Sequence, residues 1–517
     1  MHSSSHDVVI VGGGHNGLTA AAYLAQAGKS VLLLERQDDL GGATVSADAF
    51  DGMGARLSRY SYLVSLMPRR IIDDLGLSLR LARRRYSSYT PVPGGDRGLL
   101  VDHQDAAATQ ASFEAVGAGA DFDRWGEFYG RTTKLAEAIW PTMTEPLRRR
   151  SEIDRLVGDP ALARDFLDRP LGEVIESTFA DDLVRGVVLT DGLISTYASA
   201  HQTDLRHNIC FLYHVIGGGT GDWDVPIGGM GQVATQLADI ARAAGATLTT
   251  GATVTGVGQG AVTWHDAAGV ENRATADTVL WAAAPEVLDR LAGGTRGERI
   301  EGAQVKVNLL LSRLPRLRET SVAPQAAFGG TFHINELYSQ LENAYTAAES
   351  GTVPDPMPAE IYCHSITDPS ILSPELQASG AQTLTVFTLQ TPDRLLDDTA
   401  GDAMRDDLQR RVLDSLSSVL AEPIDDVVMR DRAGNPCVET KTTRDLQDVL
   451  AMPGGNIFHA PLTWPWADDD APLETAAQRW GVATAYDGVL LAGAGSQRGG
   501  GVSGLGGFAA AQAVLEG

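Results

Sequence analysis

The chain has 517 residues, of which 43% are hydrophobic and 21% charged, and its formal net charge at pH 7 is −25. That length and apolar content describe a soluble globular protein able to bury a large core over two to four domains. The acidity repels nucleic acid and the anionic face of a membrane, and no apolar run reaches the roughly twenty residues a membrane helix needs, so nucleic-acid binding and bilayer spanning are both excluded.

The first strand is entered by Asp7, which leaves no room for a secretion signal. Residues 6–36 read HDVVIVGGGHNGLTAAAYLAQAGKSVLLLER: an apolar strand, a glycine turn, a small-residue helix and a second apolar strand closing on an acid. This order predicts a nucleotide-binding βαβ unit. Gly12 suits the tight turn, Gly14 the close approach of backbone to a pyrophosphate, and Gly17 the packing of helix on strand. The helix N-terminus favours an anion, and Glu35 is placed to accept both hydroxyls of a ribose, which argues against a 2′-phosphate. DLGGATVS at 39–46 supplies a second tight turn, where Gly41 and Gly42 bring backbone N–H groups toward the same ligand.

Tyr60 and Tyr62 follow Arg56 and Ser58 just beyond that turn. Arginines cluster at Arg69, Arg70, Arg80, Arg83, Arg84 and Arg85 and again at 148–150; they read as solvated faces, with a docking patch for an anionic ligand or lipid headgroup as the alternative. Mixed three- and four-residue apolar spacing predicts a helical insert over 105–214. The glycine-rich loop 217–231 then leads to a helix over 232–244 and strands over 247–257 and 276–283. Val305, Val307, Leu309 and Leu311 fall on one strand face, TLTVFTLQ at 383–390 extends the strand signal, and a helix is expected over 402–420, which predicts a mixed sheet. From residue 489 the chain repeats its opening grammar of apolar strand, glycine turn and small-residue helix, so its two ends are expected to build one site. The three cysteines, Cys210, Cys363 and Cys437, are widely spaced with no CxxC, which argues against disulfides or a redox dithiol and fits a reducing cytoplasm.

Taken together, DVVIVGGGHNGLTAAAYLAQAG, LLLERQDDLGG, PIGGMGQVATQLADIARAAGATLTTGATVTGV, ADTVLWAAAP and LLAGAGSQRGGGVSGLGGFAAAQA resemble the phytoene desaturase and carotenoid dehydrogenase-like FAD oxidoreductases over nearly the whole chain. RLSRYSYLVSL and GGNIFHAPL are more similar to the branch named pyridine nucleotide-disulphide oxidoreductase domain-containing proteins. The resemblance implies an α/β fold: a Rossmann-like FAD-binding domain of glutathione reductase and amine oxidase type, assembled from 1–104, 215–300 and 481–517, with a helical subdomain at 105–214 and a mixed α+β substrate domain at 301–480. It implies FAD as cofactor, with the pyrophosphate on Gly12, Gly14 and Gly17, the ribose on Glu35, and the adenine on the backbone of Val254. Arg36, Gly41, Gly42, Ala43, Thr44 and Ser58 would complete that side, and Gly495, Gly501 and Val502 would meet the flavin. Amine oxidases of the superfamily place Arg where this chain has Ala43, so a side-chain clamp is not expected there.

A flavin in a dry pocket takes a hydride from saturated carbon while a base or water takes the neighbouring proton, leaving a double bond. Tyr213, His214 and His459 are the candidate side chains, with Trp223, Trp464 and Trp466 in loops nearby; core packing is the plainer role for each. His201, His207 and His214 are spaced by six and seven residues, which fits no usual zinc pattern, so no metal is expected. GGMG at 228–231 follows a proline rather than a strand, so a separate nicotinamide domain is not expected, and oxygen or a quinone is favoured over NAD(P) as electron acceptor. The leading expectation is desaturation of a largely apolar, isoprenoid or lipid-like small molecule. Oxidation of an amine or alcohol carbon on the same scaffold is the first alternative, and a non-enzymatic lipid-binding protein like the GDP-dissociation inhibitors is the second.

Overall fold

A computed structural model describes residues 2–258, 260–294, 301–396 and 401–517. Two seven-stranded sheets organise the fold. In the first, the strands run in the order Thr253–Gly258, Ala261–His265, Glu271–Trp281, His2–Val11, Val31–Leu34 and Thr247–Thr249, and Val489–Leu491 pairs in parallel with the end of Glu271–Trp281. His2–Val11 lies parallel to both its neighbours, with Val8 opposite Thr278 on one side and Val31 on the other.

Period-two alternation decides what each face buries. Val8, Ile10, Val31 and Leu33 join the core beneath the helices His15–Gln26, Gly231–Ala243 and Leu505–Glu516, whereas Val9, Val11, Leu32 and Leu34 pack with Val262, Trp264 and Trp281 on the opposite face. The first and last helices of the chain approach unusually closely: a Cβ at Gly507 would stand 1.8 Å from the Asn16 carbonyl oxygen. His15 Nε2 meets the Gly501 carbonyl oxygen at 3.1 Å, and Asn16 Nδ2 donates to that of Gly499 at 3.2 Å. The two ends of the polypeptide therefore meet at the first glycine turn.

The second sheet runs Val438–Lys441, Lys306–Leu311, Gln382–Thr388, Ala359–Tyr362, Thr331–Ile334, Tyr86–Pro91 and Gly98–Asp102. The last two strands were expected to belong with the nucleotide-binding part, but Tyr86–Pro91 pairs in parallel with Thr331–Ile334, and Gly98–Asp102 pairs antiparallel with Tyr86–Pro91, so both extend this sheet and the boundary drawn at 104 falls too late. Val307, Leu309 and Leu311 bury one face against Leu408, Val412 and Leu416 of the helix Asp402–Ser417. The other face carries Lys306, Asn308, Thr385, Phe387, Glu360, Tyr362 and His333.

The expected helical insert forms a run of helices packed through Phe113, Phe128, Phe166, Phe179 and Phe211, and its last helix, Arg206–Ile216, packs on Phe122–Ile139. Arginines in the two basic clusters meet carboxylates: Arg69 with Asp73 at 2.9 Å, Arg85 with Asp102 at 2.7 Å, and Arg150 with Asp154 at 2.9 Å. No helix among the described residues is long and apolar enough to cross a membrane.

Candidate functional site

One continuous cleft runs from the end of the first parallel strands to the helix Arg206–Ile216 and encloses about 1950 Å³ of empty space including its mouth. At its outer end stands Glu35, only 8% exposed, whose two carboxylate oxygens accept the N–H of Gly13 at 2.7 Å and of Gln37 at 2.8 Å. Each oxygen keeps a lone pair for a further donor, the arrangement that suits a pair of vicinal hydroxyls. Val254, Ala252 and Trp281 form the neighbouring wall, and Leu446, Val449 and Met452 close it from the opposite side. Arg36 lines the cleft there too, but it donates to the carbonyls of Asp448 and Val449 and so ties down the closing segment.

The glycine turns form the middle of the cleft. Gly12 has φ +107°, a conformation that only glycine adopts without strain. A Cβ on Gly17 would stand 2.0 Å from the Gly12 carbonyl oxygen. Gly14 differs: it lines the cleft, and a Cβ built on it would meet nothing within 4 Å. Its open side, the N-terminus of the helix His15–Gln26 and the unpartnered Oδ1 of Asn16 form a cradle with no protein atoms to fill it. These features fit the phosphates of a dinucleotide.

The inner end is built by side chains. Cys210, Tyr213 and His214 come from one face of the helix Arg206–Ile216, at the three- and four-residue spacing that brings residues together on a helix. Tyr62, Leu66, Lys306, Phe387, Phe458, His459 and Leu462 complete the wall, with Gly500, Gly501 and Val502 from the terminal loop. That loop is held by Arg498, itself at φ +68° and 2% exposed, whose Nη1 donates to the carbonyls of Thr142 at 3.1 Å and Glu145 at 2.7 Å. Glu35 is the only carboxylate on the cleft wall among the described residues, and it stands at the far end.

The histidines here are neutral. Burial drives His214 down to about 3, with the Arg84 charge adding to the effect, and drives His459 and His15 down to about 4. His459 sits at φ +65°, its Nδ1 buried without a partner. His214 Nε2 lies 3.8 Å from Asp191, and its ring lies tilted by 31° against that of Trp223, with centroids 4.6 Å apart. Tyr213 donates its hydroxyl to the Thr463 carbonyl at 3.1 Å, which ties that proton to the wall. Lys306 Nζ donates to the Ser58 carbonyl at 2.9 Å, and burial lowers its ammonium to about 7, only partly offset by Glu439.

The cleft thus brings together Gly12, Gly14, Glu35, Arg36, Gly42, Ala43, Val254, Tyr213, His214, His459, Gly501 and Val502. Gly17, Gly41, Thr44, Ser58 and Gly495 were expected at the ligand but stand behind its wall. Gly17 permits helix packing; Thr44 Oγ1 donates to the Gly41 carbonyl; Ser58 Oγ accepts from Met230 N; and a Cβ on Gly495 would strike Pro285. Trp464 and Trp466 stack on each other at 4.9 Å, away from the cleft. Sequence reasoning missed Lys306, His15 and Asn16. The one signal for Lys306 was a lysine alternating with Val305 and Val307 in an otherwise apolar strand.

The model of an NAD(P)-binding Rossmann-like domain matches residues 10–69. The uncharacterized protein Rv0897c of Mycobacterium tuberculosis is 52% identical over 525 residues, covering 99% of this chain and 98% of that protein. Pyridine nucleotide-disulfide oxidoreductase domain-containing protein 2 of Mus musculus is 29% identical over 574 residues, covering 99% and 93%. The chain belongs to the family of the mycobacterial protein. Among solved structures, a putrescine oxidase redesigned in its cofactor binding superimposes with a TM-score of 0.60 at 18% identity, covering 99% of each chain, and shares the fold.

Proposed function

We propose that the chain is an FAD-dependent dehydrogenase that introduces a double bond into a largely apolar, isoprenoid or lipid-like substrate. The observation that carries this reading is the cleft itself: a dinucleotide cradle continuous with an apolar chamber whose charged group is a lysine. An amine substrate enters as an ammonium ion and needs a carboxylate facing it; the inner chamber presents Lys306 instead, which favours uncharged carbon.

In this reading the Gly14 turn and the N-terminus of the first helix hold the pyrophosphate, Glu35 the ribose, Val254 the adenine, and Gly500, Gly501 and Val502 the flavin. Bound FAD supplies the two-electron acceptor. The chain's own residues do the rest: Tyr62, Phe387 and Leu462 exclude water and orient the substrate, while neutral His214 and His459 add uncharged polar groups to the wall. The turn 228–231 follows the two-residue strand Val225–Pro226, which pairs antiparallel with Leu81–Ala82 rather than starting a second βαβ unit, so oxygen or a quinone is the proposed electron acceptor. The three cysteines are unpaired and buried, in keeping with a reducing cytoplasm.

The test is anaerobic bleaching of the flavin by a panel of isoprenoid, fatty acyl, alcohol and amine compounds. Bleaching by the apolar members with a new double bond in the product supports the reading. Bleaching by amines or alcohols alone replaces it with the oxidase reading. Protein that stays colourless after FAD is added removes it.

A further inference from the structure

The face of the second sheet that looks into the cleft continues past the cleft wall. Lys306, Phe387, Glu360 and His333 stand in register across four neighbouring strands. The first two line the chamber; Glu360 and His333 carry the same row into the interior, each under 5% exposed. Glu336, just beyond the strand Thr331–Ile334, and Asp191, at the C-terminus of the helix Asp182–Thr190, join them. Two buried carboxylates, Glu336 and Glu360, and the partly buried Asp191 are thereby gathered together.

Their partners are sparse. Tyr362 donates its hydroxyl to Glu360 Oε2, and Thr190 Oγ1 reaches Oε1 at 3.5 Å. Neither oxygen of Glu336 has a hydrogen-bond partner among the described residues, and His333 Nδ1 is 3.7 Å away. The groups facing the cluster from the elements around it are Arg84, His214, His333, Cys210 and Tyr129. Arg84 is the guanidinium among them, and it is engaged with the Trp223 carbonyl at 3.2 Å and Thr331 Oγ1 at 3.1 Å. One cation cannot compensate two buried carboxylates and a third that is partly buried, so the group as a whole must hold protons. Burial raises Glu360 to about 7, and burial together with the Glu360 charge raises Asp191 and Glu336 well above the carboxylate range.

The cluster also has a route to the chamber. Tyr62, on the cleft wall, lies against Tyr362 with ring centroids 4.5 Å apart and the two hydroxyls close enough to interact, and Tyr362 is hydrogen-bonded to Glu360. We propose that Tyr62, Tyr362 and Glu360 form a relay that carries the substrate's proton out of the chamber into this buried carboxylate store. The inference rests on the desaturation reading. In that reaction one C–H bond of the substrate breaks with its electron pair going to the flavin, which is reduced, and the electron-poor carbon left behind makes the neighbouring C–H acidic. That second bond breaks as the proton passes to the Tyr62 oxygen, and its electron pair forms the new double bond. Tyr62 passes its own proton to Tyr362, Tyr362 passes its own to Glu360, and Glu360 ends protonated.

Two measurements separate this proposal from the reading beneath it. Infrared difference spectra of the purified protein need no substrate: a protonated-carboxyl carbonyl band that titrates near pH 7 and is absent from Glu360→Gln is expected, and a wild type without that band overturns the store. With a compound that bleaches the flavin, reduction of the wild type should accelerate with pH through the same midpoint. Glu360→Gln and Tyr362→Phe should each lose that rise and slow by on the order of 10²-fold, the usual scale for a lost proton-transfer partner. Wild-type rate and pH profile in Tyr362→Phe, the variant that leaves the carboxylates intact, would overturn the relay even if Glu360→Gln fails to fold. If no compound bleaches the flavin, the desaturation reading falls, while the infrared titration still decides the store.

Discussion

The two ends of the cleft are made from different material. The dinucleotide end is made of backbone: Gly12, Gly14, Gly42 and the first turn of a helix, with Glu35 as its one anchoring side chain. The inner end is made of side chains drawn from far-apart segments, among them Tyr62, Cys210, Lys306, Phe387 and His459. A backbone cradle depends on short-range glycine spacing and tolerates almost no added atoms. A side-chain chamber depends on which sheet face turns inward, and single replacements there alter chemistry more than architecture.

That contrast can be probed by substitution. Gly17→Ala should be the most damaging change, because its Cβ falls 2.0 Å from the Gly12 carbonyl oxygen; we expect overpacking of about 3 kcal/mol or more, read as insoluble or flavin-free protein. Gly14→Ala, three residues earlier, should leave the melting temperature of the flavin-free protein unchanged while abolishing flavin retention, since its Cβ enters only open space. Equal loss of stability in the two variants would show that Gly14 serves the fold and not a ligand. Glu35→Ala should weaken FAD binding by roughly 10- to 100-fold in a titration of flavin fluorescence, the worth of about 1.5–3 kcal/mol for hydrogen bonds to a charged group.

At the inner end, Lys306→Met should act through pH. The folded protein releases the Lys306 proton at about 7, whereas the unfolded chain keeps it to about 10.5. The unfolded state therefore binds more protons between those values, so wild-type stability gains from this group as pH rises across that window, by at most about 1.4 kcal/mol per unit. Urea midpoints should show that component of the rise in the wild type and lack it in Lys306→Met. Arg69→Ala, which removes an exposed pair with Asp73, should shift stability by less than about 0.5 kcal/mol.

The same contrast explains what could be read in advance. The glycine turns, Glu35 and the return of the terminal helix were legible because each depends on neighbours within a few residues or on a repeated pattern. Tyr213, His214 and His459 were picked out by position near glycine loops, and all three do reach the cleft, yet the Tyr213 proton is committed to Thr463. Ser58 and Gly495 lay in the right segments but face away from the cleft, because facing depends on a turn's exact path. The hairpin 86–102 was misassigned since the partner of its first strand, Thr331–Ile334, lies more than 200 residues away.

Amino-acid order alone determined that a strand, a glycine turn and a helix would present an open backbone cradle beside a buried acid, because those requirements are local. It also determined that residues 305–311 would form a strand with one apolar face. Only the tertiary structure decided that the opposite face of that strand, Lys306 included, would wall the cleft, and that Glu336, Glu360 and Asp191 would come together behind it. Cross-strand register and sheet packing set those neighbours, and both are long-range choices that no window of sequence encodes.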